Sequence, residues 1–146
     1  MPTFGRESKA QLATCHPYLQ KLFNTVIEFQ DCRVLQGWRG EAEQNAAYRS
    51  GHSTKKWGES KHNHTEKLDG KDVPYSLGVD VAPFFAEKPH IRWKDTESFC
   101  HFAGFVLGVA AMLGIQIRWG GDWDSDQDLH DQTFNDLVHF ELKRLH

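Results

Sequence analysis

The sequence predicts an α+β domain, in which a small and mostly antiparallel sheet packs with about three helices. Three observations lead to this prediction. The chain has 146 residues, 39% of them hydrophobic and 25% charged, which is the composition of one ordinary globular domain. Two segments repeat apolar residues at helical spacing, and several short apolar runs are typical of strands. The helices and strands do not alternate regularly, so a parallel βαβ sheet is not predicted.

The first half of the chain contains two predicted helices with a strand between them. Residues 17 to about 29 form the first helix, because Pro17 suits a first helical position and apolar residues follow at helical spacing. Residues 34–38 form a short strand. Residues 41–48 are rich in Ala, Glu and Gln and form a helix that ends near Gly51.

A polar stretch separates these elements from the second half. Residues 51–75 are predicted to form a long surface loop, since Gly, Ser, Lys, His, Asn and Asp dominate their composition. Residues 79–83 form a strand that ends at a proline. The second long helix covers residues 95–113, whose apolar side chains form one stripe before Gly114 ends the helix.

The last part of the chain is predicted to return to strands. Residues 115–119 form one strand, and an acidic loop follows at residues 120–135. In the final strand, apolar side chains alternate with His139 and Glu141. These two polar side chains therefore share the face opposite the apolar one.

Charge and cysteine usage exclude several function classes. The net charge of −3 gives no basic field for nucleic acid, which is not expected as a partner. Three cysteines at unrelated spacings, with no CxxC pair, indicate reduced and mostly buried thiols: Cys15, Cys32 and Cys100. We find no leader segment and no apolar run approaching bilayer length, so we expect synthesis in a cytoplasm and no stable membrane insertion.

Four residues are candidates for binding a metal: His62, His64, Asp80 and His139. A catalytic zinc takes three protein ligands from His, Asp and Glu and keeps one position open for water. Asp80 carries the strongest signal, because a carboxylate in an apolar strand needs a cation or hydrogen-bond donors beside it. The alternative for each histidine is an ordinary surface or core role, since the chain has nine.

Three sequence motifs together resemble a known zinc-binding signature. They are SKH at residues 60–62, GVDVAP at residues 78–83 and DLVHFEL at residues 136–142. The chain resembles the peptidoglycan-cleaving zinc peptidases of the D-alanyl-D-alanine carboxypeptidase and L-alanyl-D-glutamate endopeptidase superfamily. The similarity is greatest to single-domain bacteriophage endolysins, through further segments such as QGWR at residues 36–39 and RWGGDW at residues 118–123.

The resemblance implies three zinc ligands, which are His62, Asp80 and His139. It implies that Asp136 is the general base and that Arg39 binds or polarises the scissile carbonyl. Zinc-bound water, a carboxylate that takes its proton and a cation for the oxyanion form a consistent set. Glu141 stays a competing base, because it shares a strand face with His139. Further candidates for substrate binding are Ser60, Gln44 and Trp123.

The sequence departs from the family between the first two ligands, which are usually close together. Residues 64–75 are therefore interpreted as an insertion that could lie over the cleft. Asp69 would restore the usual spacing, but it lies in a polar, turn-like run, whereas Asp80 has the flanking residues of the expected strand. Asp80 is the preferred ligand, and His64 is a fallback.

An acidic run places carboxylates at every second position: Asp122, Asp124, Asp126 and Asp128. Calcium loops often have this pattern. The run lacks the glycine and the final glutamate of an EF-hand, and a solvated loop is the alternative. A calcium site here is thus a hypothesis.

Taken together, the residues and the resemblance predict a single catalytic domain over residues 1–146, without a separate wall-binding domain. The resemblance implies a phage endolysin that cleaves the L-alanyl-D-glutamate bond of peptidoglycan. It also implies a monomer made in the host cytoplasm, released by a holin and active on the wall in the periplasm. The alternatives are a D-alanyl-D-alanine carboxypeptidase or dipeptidase, and a catalytically silent wall-binding protein of the same fold.

Overall fold

A computed structural model describes residues 1–127 and 136–143 of the chain. The helices are α1 (Arg6–Leu12), α2 (Pro17–Val26), α3 (Glu41–Arg49) and α4 (Thr96–Leu113), with a short 3-10 helix at Lys61–Asn63. The strands are β1 (Cys32–Gln36), β2 (Thr65–Leu68), β3 (Lys71–Pro74), β4 (Gly78–Pro83), β5 (Ile117–Gly120) and β6 (Asp136–Leu142). The predicted α+β class is confirmed.

The central sheet has four antiparallel strands in the order β1, β4, β6, β5. Its register sets Asp80 of β4 opposite His139 of β6, and Arg118 of β5 opposite Glu141 of β6. Because side chains alternate along a strand, these four polar residues lie on one face of the sheet. The other face carries apolar side chains such as Val79 and Phe140, which are fully buried.

The apolar face of the sheet packs against two helices. The α4 helix contacts β4, β5 and β6, and α2 contacts α4. The ring of Phe140 makes edge contacts with Phe23 of α2 and Phe102 of α4. As predicted, Gly114 ends α4 in the left-handed conformation, which suits glycine. This core holds β4 and β6 rigidly, so it also holds the polar side chains on their opposite face.

The α4 helix corrects the expectation that no apolar segment of the chain approaches the length needed to cross a bilayer. By length and composition it is apolar enough to cross a membrane, with a mean hydropathy of 1.4 over 18 residues. Its buried residues face the sheet: Phe99, Phe102, Ala103, Val106 and Ala110. A helix that packs in a protein core also has this length and composition, so core packing accounts for its apolar stripe.

Two further differences concern segments without strong hydrophobic periodicity. The α1 helix was not predicted, and the long polar segment contains the 3-10 helix and the β2–β3 hairpin rather than loop alone. The hairpin turns at Asp69 and Gly70, both with positive φ, and Lys67 pairs with Asp72 across it at 2.8 Å. The remaining predicted helices and strands are confirmed, with ends shifted by a few residues.

Candidate active site

Three side chains from different elements meet on the polar face of the sheet. His62 comes from the 3-10 helix, Asp80 from β4 and His139 from β6. The Asp80 Oδ1 atom lies 3.2 Å from His62 Nε2 and 3.1 Å from His139 Nδ1, and these two nitrogens are 3.2 Å apart. The structure therefore brings together the three ligands that the resemblance implied.

The second nitrogen of each imidazole has a partner outside this cluster. His62 Nδ1 lies 2.7 Å from the carbonyl oxygen of Gly37, and His139 Nε2 lies 2.9 Å from Glu141 Oε1. A carbonyl and a carboxylate only accept hydrogen bonds, so these nitrogens carry the protons. In neutral rings, His62 Nε2 and His139 Nδ1 then present lone pairs toward Asp80, as metal-binding histidines do.

Local hydrogen bonds hold His62 in place. The Ser60 hydroxyl accepts a hydrogen bond from the His62 backbone N–H, and Asn63 Oδ1 accepts one from the Ser60 N–H, so the two residues form a capping box. The backbone N–H of Arg39 donates to the His62 carbonyl at 2.8 Å. These bonds fix the short 3-10 helix against the segment that follows β1.

The charges in the cluster favour a cation. Burial opposes ionisation of Asp80, but the two histidines outweigh it and hold the pKa of this carboxyl well below its usual range. Burial lowers the pKa of His139, yet its hydrogen bonds to Asp80 and Glu141 raise it to about 9. Without a metal, the carboxylates of Asp80 and Glu141 thus stabilise a positive charge on His139, which lies between them.

The donor set fits zinc. Ligand bonds of about 2.0–2.2 Å in a tetrahedron separate the donor atoms by roughly 3.3–3.6 Å, slightly more than the 3.1–3.2 Å found here. The other candidate ligands lie elsewhere. His64 points to Glu66 at 3.2 Å, and Asp69 is exposed in the hairpin turn. The preference for Asp80 therefore agrees with the geometry, and among the described residues His64 lies outside the group of converging donor atoms.

The cluster lies in an open cleft of about 540 Å³. Five further residues that the sequence named as catalytic or substrate-binding candidates also line it: Arg39, Ser60, Trp123, Asp136 and Glu141. The Arg39 guanidinium is 3.8 Å from Asp80 Oδ2, and the Trp123 ring lies 5.7 Å from the His139 ring. The three residues of the cluster therefore open onto this cleft.

The prediction that Gln44 contacts a substrate is corrected by its burial. The Gln44 side chain is fully buried in α3 and does not line the cleft. Its Oε1 accepts hydrogen bonds from Arg39 Nη1 at 3.0 Å and from Asn63 Nδ2 at 3.2 Å. Its Nε2 donates to the Lys55 carbonyl at 2.6 Å. Gln44 therefore positions Arg39 and does not reach the cleft.

The two competing carboxylates have different surroundings. Both oxygens of Glu141 are occupied, because Oε1 accepts from His139 and Oε2 accepts from Arg118 Nη2 at 2.7 Å. Burial opposes ionisation of Glu141, but these two partners lower its pKa to about 2. For Asp136, burial and the negative charge of Asp80 raise the pKa. A raised pKa makes Asp136 the better proton acceptor and donor near neutral pH.

The predicted insertion does not cover the cleft. None of residues 64–75 is among the described residues that line it. Instead, the segment before the 3-10 helix lines the cleft through four residues, which are His52, Ser53, Thr54 and Lys55. Residues 64–75, interpreted from the sequence as an insertion over the cleft, therefore do not line it in this structure.

The acidic run forms a second group of carboxylates. Oxygen atoms of Asp122, Asp124 and Asp126 lie within 4.8 Å of one another, whereas Asp128 lies outside the described residues. Asp122 is buried, and its Oδ2 accepts a hydrogen bond from the Gln127 N–H at 2.9 Å. Burial raises the pKa of Asp122, and the nearby acidic side chains add to this effect.

Sequence reasoning missed three contributors to the site. Gly37 supplies the carbonyl that orients His62, and a Cβ there would lie 2.2 Å from the Gln11 carbonyl oxygen. Arg118 holds Glu141, and Lys61 lines the cleft. The positions of Gly37 and Lys61 within QGWR and SKH were the available signals, but only the fold assigns their contacts.

Comparison with known proteins gives a consistent result. Residues 2–143 match the family described as phage L-alanyl-D-glutamate peptidase. The chain is 33% identical over 131 residues to the L-alanyl-D-glutamate peptidase of Escherichia phage T5, covering 88% of this chain and 87% of that protein. The crystal structure of the Serratia marcescens L-Ala D-Glu endopeptidase ChiX is similar in fold, with a TM-score of 0.69 and 24% identity. That match covers 95% of this chain and 88% of the other.

Proposed function

The chain belongs to the phage L-alanyl-D-glutamate peptidase family, and on this premise we propose that it hydrolyses the L-alanyl-D-glutamate bond in the peptide stems of bacterial peptidoglycan. We propose that zinc is its metal and that the ligands are His62, Asp80 and His139. One observation carries the assignment of the metal. Three donor atoms converge at 3.1–3.2 Å, while the second nitrogen of each histidine is held by another partner.

The protein side chains divide the chemistry among them. Zinc bound at the cluster supplies a water of lowered pKa and a Lewis acid for the scissile carbonyl. Asp136 accepts the proton of the attacking water and then delivers it to the leaving amino group, a role that its raised pKa supports. Arg39, held by Gln44 and beside Asp80, stabilises the negative charge that develops on the carbonyl oxygen.

Membership of a phage family supports a proposal for the biological setting. We propose a lysis enzyme that acts as a monomer with one catalytic domain over residues 1–146. It is made in the host cytoplasm and reaches the wall in the periplasm after a holin opens the inner membrane. Fractionation of lysing cells with and without the holin tests this setting, since wall cleavage should require the holin.

A calcium ion at the acidic loop is a further part of the proposal. Three carboxylates within 4.8 Å of one another match the oxygen ligands that calcium prefers. A cation there would offset the burial and the repulsion from Asp124 and Asp126, which together raise the pKa of Asp122. The loop precedes β6, which carries Asp136 and His139, so calcium would order the approach to the site.

Mass spectrometry of digested peptidoglycan tests the reaction. Purified peptidoglycan is incubated with the protein as isolated, after chelation and after zinc is restored. We expect fragments with a new amino terminus on D-glutamate, lost on chelation and recovered with zinc. Release of free D-alanine would instead assign a carboxypeptidase, and binding without any cleavage would assign a silent wall-binding protein.

A further inference from the structure

The cleft is positively charged although the whole chain is acidic. The chain has a net charge of −3. Among the described residues, four lysine and arginine side chains line the cleft, against three carboxylates from Asp80, Asp136 and Glu141. A divalent metal at the cluster adds to this excess. Such a cleft attracts an anionic ligand, because low-dielectric walls concentrate the field of the charges that line them.

Two of the four cations are already paired. Arg39 lies beside Asp80, and Arg118 donates to Glu141. For the other two, Lys55 and Lys61, no ion pair occurs with any residue in 1–127 or 136–143. These two ammonium groups are therefore available to a charge that the ligand brings.

Lys61 is the better placed of the two. Its carbonyl oxygen accepts a hydrogen bond from the Leu77 N–H at 3.0 Å, which fixes its backbone. Its Cβ packs over Gly78, where an added methyl group would lie 3.1 Å from the Lys61 Cβ and 2.9 Å from His139 Cε1. Lys61 is thus half-buried next to the metal cluster, whereas Lys55 is exposed on the cleft wall.

The substrate carries a charge at the corresponding position. In an L-alanyl-D-glutamate bond, the glutamyl residue follows the scissile bond directly. Glutamate has two carboxyl groups, and a linear stem continues through only one of them. The other stays a carboxylate unless it is amidated, so a free negative charge lies within one residue of the reacting carbonyl.

We propose that Lys61 binds this free carboxylate, so that the enzyme prefers stems with D-glutamate over stems with the amidated residue. The inference rests on the proposed cleavage of the L-alanyl-D-glutamate bond. A hydrogen bond from an ammonium to a carboxylate is roughly twice as strong as one between neutral groups. An amide in its place leaves the Lys61 ammonium without its counter-charge.

Two synthetic stem peptides that differ only in this group test the proposal. One has a free carboxylate on the D-glutamyl residue and the other a carboxamide, and kcat/KM is measured for each with the zinc-loaded enzyme. We expect about a tenfold preference for the carboxylate, as for loss of one charged contact. In Lys61→Met the preference should fall to about one, and Lys61→Arg should restore most of it.

Lys56 provides the matched control. It has the same charge, but its ammonium lies over the Tyr48 ring at 5.3 Å and does not line the cleft. Lys56→Met should therefore keep the preference, which separates a direct contact from the general field. Zinc content and melting temperature of each variant identify any that have lost the metal or the fold.

The outcomes separate this inference from the proposed function. Equal cleavage of both peptides by the unmodified enzyme, or a preference that survives in Lys61→Met, would overturn the role of Lys61 and leave the peptidase intact. If Lys55→Met alone lost the preference, the carboxylate would be bound by Lys55 on the cleft wall, and the role of Lys61 would be overturned. No cleavage of either peptide by the zinc-loaded enzyme would overturn the proposed function itself.

Discussion

Replacing Asp136 by Asn and Glu141 by Gln should affect different steps, although both carboxylates lie on β6 close to His139. Asp136→Asn removes the proton acceptor but keeps the size of the side chain. General acid–base groups contribute about 10²–10⁴-fold to the rate, so we expect kcat to fall by that factor, or roughly 2.7–5.4 kcal/mol. The zinc ligands and their partners are unchanged, and zinc should stay bound.

Glu141→Gln should act on metal affinity. The Gln side chain can still accept from His139 Nε2, but its amide nitrogen cannot accept from Arg118 Nη2, which lies 2.7 Å from Oε2. Changes at such supporting residues typically cost about 10–100-fold in metal affinity. We expect zinc binding to weaken by that factor, or roughly 1.4–2.7 kcal/mol, while kcat at saturating zinc stays near that of the unmodified enzyme.

The assay combines two measurements on each variant. Competition with a chromogenic chelator gives the zinc affinity, and cleavage of a defined stem peptide at saturating zinc gives kcat. Full activity in Asp136→Asn with a collapsed kcat in Glu141→Gln at equal zinc occupancy would refute the assignment. It would make Glu141 the base despite its two hydrogen bonds.

Three further outcomes follow from the structure. Gly37→Ala places a methyl group 2.2 Å from the Gln11 carbonyl oxygen. Overpacking of this kind costs about 1–3 kcal/mol, so calorimetry should show a Tm lower by roughly 3–10 °C. Zinc should also bind more weakly, because the Gly37 carbonyl orients His62. Burial raises the pKa of the Cys15 thiol to about 12, so this thiol is protonated at pH 8. We expect it to resist iodoacetamide in the native protein and to react in urea, and rapid labelling of the native protein would contradict its burial. Calcium should raise the Tm of the chelated protein in unmodified enzyme but not in Asp122→Ala, and identical curves with and without calcium would remove the calcium site.

Local patterns in the sequence were sufficient for much of the fold. The apolar stripe of α4 and the alternation in β6 predict those elements because burial of one face requires that periodicity. The α1 helix was missed because it has seven residues and no side-chain cap. Its stability comes from distant contacts, such as the Ser8 hydroxyl that accepts from the Val34 N–H.

The hairpin of β2 and β3 was missed for a related reason. Its strands are polar and mostly exposed, so they carry no alternating apolar signal. Cross-strand hydrogen bonds and the turn at Asp69 and Gly70 hold it together instead. Where the hairpin projects relative to the cleft is likewise a property of the assembled chain.

By itself, the sequence determined which residue types could bind a metal and cleave an amide, because His, Asp and Arg carry that chemistry wherever they lie. It also determined that Asp80 and His139 belong to strands with one apolar face. Only the tertiary structure decided which atoms face each other, since strand register and the position of the 3-10 helix set those distances. For the same reason, only the fold showed that Gln44 supports Arg39 from a buried position and that Lys61 lines the cleft without an ion pair to any described residue.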